Sequence, residues 1–298
     1  MWKRCSGEMK QMICIRVSQK SRQKNRQMNR ARNSQRIRQG IRQGNLKALL
    51  CSLLFVTSLL LPGCHRKIRE ETELMVGAAA SLKPVMEILG DRYVEKKEGI
   101  ALIFTYASSG TLEQQIRQGA PMDVFLSASD KQIQSLSEEN YLLASTITEL
   151  TENRMVLIVP SDSALKLTGF EDITGASKIA IGEPVSVPAG KYACEVFEFY
   201  GLLEEAQKVA VYGKDVTEVL AWVSSGNVDA GVVYTTDAAL SDQVTEIALA
   251  PAESHSRVVY PGAVVKETKQ EAAAKEFLEY LKSEEAQRVF EEYGFLRR

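Results

Sequence analysis

Leu74-Met-Val-Gly-Ala-Ala-Ala-Ser-Leu-Lys-Pro-Val-Met-Glu-Ile-Leu89 passes directly from a strand into a helix. Its first half is short and apolar and ends in Gly77-Ala-Ala-Ala-Ser81, while Leu82, Val85, Met86, Leu89 and Tyr93 then recur at helical spacing. Ser81 stands where an N-cap is expected, with Pro84 tolerated in the first turn. The same handover recurs downstream. Strands are expected over 101–106, 124–127, 155–159, 178–181, 209–212, 230–234 and 258–265. Helical runs lie between them, among them Val216-Val219-Leu220-Val223 and Ala274-Phe277-Leu278-Leu281. Strands alternating with helices predict an α/β fold, sheets flanked by helices.

Three further junctions share the chemistry of the first. Tyr106-Ala-Ser-Ser-Gly-Thr-Leu112 offers Ser108 and Ser109 as caps. Pro184-Val-Ser-Val-Pro-Ala-Gly-Lys191 has no capping side chain but places small Ala189 and Gly190 at a helix start, and Gly213-Lys-Asp-Val216 opens a fourth helix. A helix start exposes N–H groups without intrahelical partners and carries a partial positive charge. Several such ends meeting in one cleft would bind an anion without a cationic side chain, and small residues there keep the N–H groups accessible.

The chain of 298 residues is 45% hydrophobic and 25% charged, enough to bury a sizeable core. Its net charge of -1 hides a polarised distribution: residues 1–47 hold fourteen Lys and Arg and only one acid, Glu8. The remaining 23 of 37 bases and 37 of 38 acids leave the rest of the chain at -14, which argues against a nucleic-acid-binding body. The basic stretch runs into the uncharged Ala48–Leu61 segment, too short for a membrane span of about 20 residues but of signal-peptide length. Met28 is an alternative start within the long basic stretch. The cysteines (Cys5, Cys14, Cys51, Cys64, Cys194) and histidines (His65, His255) form no metal-ligand spacing. Cys194 reads as a small core hydrophobe. Ser81-Leu-Lys83 is not the SxxK arrangement and no GxSxG elbow is present, so no enzyme is expected.

Leu61-Pro-Gly-Cys64 resembles the bacterial lipobox, in which the chain is cut before a cysteine that then carries lipid. That implies a signal peptide over 1–63, lipidation of Cys64, a tether over 64–71, and an exported protein anchored to the outer face of the cell membrane. From Leu74 onward the sequence resembles the periplasmic molybdate-binding proteins of molybdate ABC transporters. The blocks run in order: Ala78-Ala-Ala-Ser-Leu82, Ala107-Ser-Ser-Gly-Thr-Leu112, Gly119-Ala-Pro-Met-Asp-Val-Phe125, Gly182-Glu-Pro-Val-Ser-Val-Pro-Ala-Gly190, Asp229-Ala-Gly-Val-Val-Tyr234, Tyr260-Pro-Gly-Ala-Val264 and Tyr293-Gly-Phe295.

The resemblance implies a two-lobed Venus-flytrap fold whose chain crosses the hinge twice: 72–152 and 249–298 in one lobe, 153–248 in the other. It implies oxyanion contacts from the hydroxyls and N–H groups of Ser81 and Ser109, the N–H groups of Ala189 and Val216, and the Tyr234 hydroxyl, with no direct metal ligand and no cofactor. The implied ligand is molybdate or tungstate, the partner an ABC permease, and the state a monomer. Sulfate, thiosulfate and phosphate are the alternative ligands. A pocket made of donors alone suits an anion with no proton and mismatches phosphate, which keeps one near neutral pH.

Overall fold

A computed structural model describes residues 71–297; the expected signal peptide, lipobox and Cys64 lie outside the described residues. Ten strands form two five-stranded sheets. The first contains β1 (Thr72–Ala79), β2 (Ile100–Ala107), β3 (Val124–Leu126), β4 (Thr148–Asn153) and β10 (Val258–Val264), in the order β2-β1-β3-β10-β4. The second contains β5 (Met155–Pro160), β6 (Ile179–Gly182), β7 (Ala210–Gly213), β8 (Ala230–Tyr234) and β9 (Val244–Leu249), in the order β7-β6-β8-β5-β9. The chain therefore passes between the sheets twice, from β4 to β5 and from β9 to β10.

The two sheets are built alike. In the first, β1 pairs in parallel with β2 and β3, and β10 is antiparallel to β3 and β4. In the second, β6 pairs in parallel with β7 and β8, and β5 is antiparallel to β8 and β9. The antiparallel strand of each sheet is thus the one entered just after a crossing. Parallel strands need helical crossovers that cover both sheet faces, so the central strands are apolar throughout; β3, β5, β6, β8 and β10 are buried along their whole length.

Helices α1 (Lys83–Lys96), α2 (Ser109–Arg117) and α3 (Asp130–Glu138) follow β1, β2 and β3; α4 (Pro188–Phe199) follows β6; and α6 (Val216–Ser224) follows β7, after α5 (Leu203–Val209). A single turn, α7 (Thr235–Ala238), follows β8, and α8 (Glu271–Leu281) and α9 (Glu284–Glu292) close the chain. Val85, Met86, Leu89 and Tyr93 of α1, Val216, Val219, Leu220 and Val223 of α6, and Ala274, Phe277, Leu278 and Leu281 of α8 are all buried, the faces read from their periodicity. The four helical junctions in the sequence thus exist, and the strands expected from it are present.

Two strands, β4 and β9, were not expected from the sequence. Each is the edge of its sheet. Thr148-Glu-Leu-Thr-Glu-Asn153 and Val244-Thr-Glu-Ile-Ala-Leu249 carry charge and are only partly buried, so the apolar signal that marks a central strand is weak in them. Cys194 also departs from the reading: it is half-buried and packs at the margin of the core.

The turn after β6 leaves no room for side chains. A Cβ on Gly190, in the first turn of α4, would collide with the backbone of Gly182 at the end of β6, so helix and strand approach as closely as backbones permit. Gly190→Ala should therefore lower stability by about 1–3 kcal/mol as α4 is pushed off the sheet, measured by urea denaturation; a stability equal to the parent's would show that the close approach is dispensable.

Candidate functional site

Open α/β sheets place ligands beyond the carboxyl ends of their parallel strands, where the strand order turns back. Here β1 and β6 occupy that place, each between two parallel neighbours. The carboxyl ends of β1, β2 and β3 deliver Ser81, Ser109 and Ala128; those of β6, β7 and β8 deliver Ala189, Val216 and Tyr234. All six residues line one cavity between the two sheets, together with Ala79, Ala80, Ser108, Val187, Pro188 and Asp215. The five oxyanion positions expected from sequence are thus brought together. The cavity is small, on the scale of a water molecule or a single small ion. No Lys or Arg lines it, and among the described residues no group of three or more His, Cys, Asp or Glu side chains is placed to hold a metal ion.

Each helix start leaves amide hydrogens unspent. In α2 the cap is Ser108, whose Oγ accepts the Thr111 N–H at 3.2 Å. Ser109 is the first helical residue, with its amide in the open turn. In α4 the N-cap Val187 has no capping side chain, Pro188 has no amide hydrogen, and the Gly190 and Lys191 amides both bond the Val187 carbonyl. Ala189 is left as the first-turn N–H facing the cavity. In α6 the Asp215 carboxylate caps by accepting the Glu218 N–H at 2.9 Å, while Glu218 reaches back to the Lys214 N–H at 2.9 Å. This reciprocal arrangement leaves the Val216 amide unclaimed.

The first junction differs from its expectation. Ser81 is no N-cap: it lies in a short 3₁₀ turn, Ala80–Leu82, ahead of α1, whose own N-cap is Leu82 without a capping side chain. The extra turn swings Ser81 Oγ away from the helix start to a hydrogen bond with the Tyr260 hydroxyl, 3.0 Å away.

The hydroxyls are poised as donors. Ser109 is fully buried, and its Oγ accepts the Ala128 N–H at 2.9 Å; a hydroxyl that is already accepting keeps its proton for the cavity. Tyr234 is 1% exposed and its hydroxyl has no hydrogen-bond partner among the described residues. Burial, with Tyr260 beside it, holds this phenol well above its ordinary range, so it stays protonated. A buried hydroxyl without a partner costs free energy unless a ligand takes it up.

The wall is not purely donors, contrary to the sequence-based reading. Asp215 contributes a carboxylate, which the helix start of α6 occupies as a cap. Behind it, Asp237 is 2% exposed with an unpartnered Oδ2; burial, with the Asp215 carboxylate adding to it, pushes its carboxyl up to about 7.

The lobes touch around the cavity. The Gly110 N–H of α2 donates to the Ser186 carbonyl at 2.9 Å across the cleft, and a Cβ on Gly110 would come within 2.6 Å of the Ser186 backbone. Glu183 holds that loop in place by accepting from Ser186 Oγ and from the Ser186 and Val185 amides. On the far side the Tyr192 hydroxyl lies 3.3 Å from the Arg257 carbonyl, and the Ser256 N–H donates to Glu195 at 2.7 Å. His255 pairs its Nδ1 with the Ser256 carbonyl. Sequence reasoning missed the cross-cleft role of Gly110 and the polar cluster of Asn153 and Tyr260 under Ser81. Tyr260 stood in a recognised block, whereas nothing local marks Asn153.

Proteins of known family resemble this chain over most of its length. The family model of bacterial extracellular solute-binding proteins matches residues 74–296. An ABC transporter substrate-binding lipoprotein of Bacillus subtilis, so named, is 41% identical over 80% of this chain and 93% of its own length. The molybdate-binding protein ModA of Haemophilus influenzae is 36% identical over 80% of this chain and 96% of its own. Among solved structures, a substrate-binding domain assigned to a molybdenum ABC transporter of Clostridium difficile is 43% identical with a TM-score of 0.61, covering 76% of this chain and 99% of that one. The periplasmic molybdate-binding protein of Azotobacter vinelandii shares the fold at a TM-score of 0.68 and 24% identity over 76% of this chain and 99% of its own. On the match from 74 to 296 and these relatives, the chain belongs to the bacterial extracellular solute-binding protein family.

Proposed function

We propose that the protein is the extracytoplasmic receptor of a molybdate ABC transporter, binding molybdate or tungstate in the cleft and delivering it to the permease. The observation that carries this reading is the cavity itself: unspent amide and hydroxyl donors from both lobes, no ammonium or guanidinium, and room for a small ion. An unprotonated dianion is all acceptor and satisfies such a wall. Hydrogen bonds to a charged group contribute about 1.5–3 kcal/mol each, so several pre-oriented ones offset the ion's lost hydration. With donors coming from both lobes, the ion binds the closed arrangement more tightly than the open one and so stabilises it.

The receptor performs no chemistry. Neither serine bonds a general base: Ser109 pairs with a backbone amide and Ser81 with a tyrosine hydroxyl. The relatives that bear the molybdate-binding and lipoprotein names support the ligand class and an anchor at Cys64. The acidic body slows encounter with a dianion without deciding affinity, because its field is screened over about 8 Å at physiological salt.

Calorimetry with molybdate, tungstate, sulfate and phosphate tests the reading. Molybdate and tungstate should bind far more tightly than the other two, and Ser109→Ala or Tyr234→Phe should each weaken binding by about 1–3 kcal/mol with the fold intact. Sulfate binding as tight as molybdate would reassign the ligand. The pH profile is a separate expectation. Asp237, close to Asp215, Tyr234 and Tyr260, titrates near pH 7, and a dianion in the cleft favours its protonated form. Binding should therefore take up protons and weaken as pH rises through about 7; the profile should flatten in Asp237→Asn, and an unchanged slope in that variant would remove Asp237 from the linkage. Cys64→Ser should release the protein from the membrane or block its processing, and fully processed protein retained in the membrane fraction would rule out the lipid anchor.

A further inference from the structure

Asn153 is the last residue of β4, at the first crossing between the sheets, and it is buried. Its side chain is fully committed. Oδ1 accepts the Arg154 N–H at 2.8 Å and the Thr235 hydroxyl at 3.0 Å. A backbone N–H can only donate, so the atom facing it is the oxygen and the amide cannot be flipped. Nδ2 must then donate, to Thr236 Oγ1 at 2.9 Å and to the Tyr260 hydroxyl at 3.3 Å.

This settles the direction of the next bond. Tyr260 is fully buried and its phenol is held well above the ordinary range, so it keeps its proton. Receiving a hydrogen from Asn153, the Tyr260 hydroxyl has one proton of its own to place, and the acceptor within reach is Ser81 Oγ at 3.0 Å. If Ser81 donated to Tyr260 instead, the tyrosine proton would be buried without a partner. The satisfied order runs from Asn153 to Tyr260 to Ser81 and leaves the Ser81 proton free to donate into the ligand cavity, which Ser81 lines along with a second hollow beside Thr236 and Phe295.

We infer that Asn153 is a positioning and specificity-determining residue: acting through Tyr260, it makes the Ser81 hydroxyl a donor toward the ligand and denies it the role of acceptor. The inference rests on the proposed oxyanion function and adds a reason for its selectivity. An anion bearing a proton on the oxygen that meets Ser81 presents donor to donor and is refused. The same side chain grips Thr235 and Thr236, the residues following Tyr234. One amide at the crossing therefore orders the Ser81 side of the site and holds the turn that carries Tyr234.

The test is a competition experiment on the full-length protein, measuring molybdate binding and its displacement by phosphate at mildly alkaline pH. There both ions are dianions and only phosphate carries a proton. Asn153→Asp keeps the shape but accepts where Asn donated, so Tyr260 turns its proton to the carboxylate, Ser81 donates to Tyr260, and Ser81 lone pairs face the cavity. The added charge and any loosening of the hinge affect both dianions alike and cancel in their affinity ratio. The preference for molybdate over phosphate should fall about tenfold in Asn153→Asp. It should also fall in Tyr260→Phe, which frees the Ser81 lone pairs without adding charge and serves if the Asp variant does not fold. In a Ser81→Ala background neither substitution should move the ratio. Equal losses for both ions, or a ratio that shifts as much without the serine hydroxyl, would overturn the inference. Failure of the unaltered protein to bind molybdate would instead sink the proposed function.

Discussion

Unpaired amide hydrogens at helix starts are the constraint around which this molecule is organised. A helix leaves its first N–H groups without partners, and burying them in a dry cleft would cost more than the fold could bear unless something accepts them. The protein exposes them at the carboxyl ends of parallel strands, where a strand hands over to a helix, and brings two sets face to face. Each sheet has the same pairing, with two parallel neighbours flanking β1 in one and β6 in the other, so each offers the carboxyl ends of three parallel strands to the cavity. The matched sheets make one cavity that neither could enclose alone.

The small residues follow from the same constraint. Ala189 and Gly190 let α4 seat against the backbone of Gly182, and Pro188 removes a competing N–H, so the Ala189 amide alone faces the site in that turn. Gly110 admits the Ser186 carbonyl across the cleft. Asp215 satisfies the start of α6 from the side and leaves the Val216 amide open. Capping, which usually silences a helix start, is here confined to the amides the cavity does not use.

Hydroxyls differ from amides because their polarity is adjustable, and the structure spends residues to remove that freedom. Ser109 accepts from a backbone amide and is left with a proton to give. The Tyr234 hydroxyl, beside that of Tyr260, has no partner at hydrogen-bond distance among the described residues. Ser81 is ordered through Tyr260 by Asn153, whose own orientation is dictated by the backbone. A hydroxyl free to turn would accept a proton as readily as donate one, and the distinction between protonated and unprotonated anions would be lost.

Pattern in the chain was enough for the α/β class, eight of the strands, the apolar faces of the main helices and the helix-start junctions that come to line the cavity; the five individual contact positions came with the family resemblance, Tyr234 wholly so. The patterned features are local: a strand's burial and a helix's period are written in neighbouring residues, and a strand-to-helix turn needs small or capping residues at fixed offsets. The edge strands β4 and β9 escaped because a half-solvated strand carries little apolar signal. The Ser81 turn escaped because a 3₁₀ turn and an N-cap draw on the same residue types. Folding of distant segments is what puts Asn153 and Tyr260 beneath Ser81, brings Gly110 to Ser186, and buries the Asp237 carboxyl behind the wall. Each joins residues far apart in the chain, and a hydrogen bond's direction depends on every partner around it, which no single stretch of sequence contains.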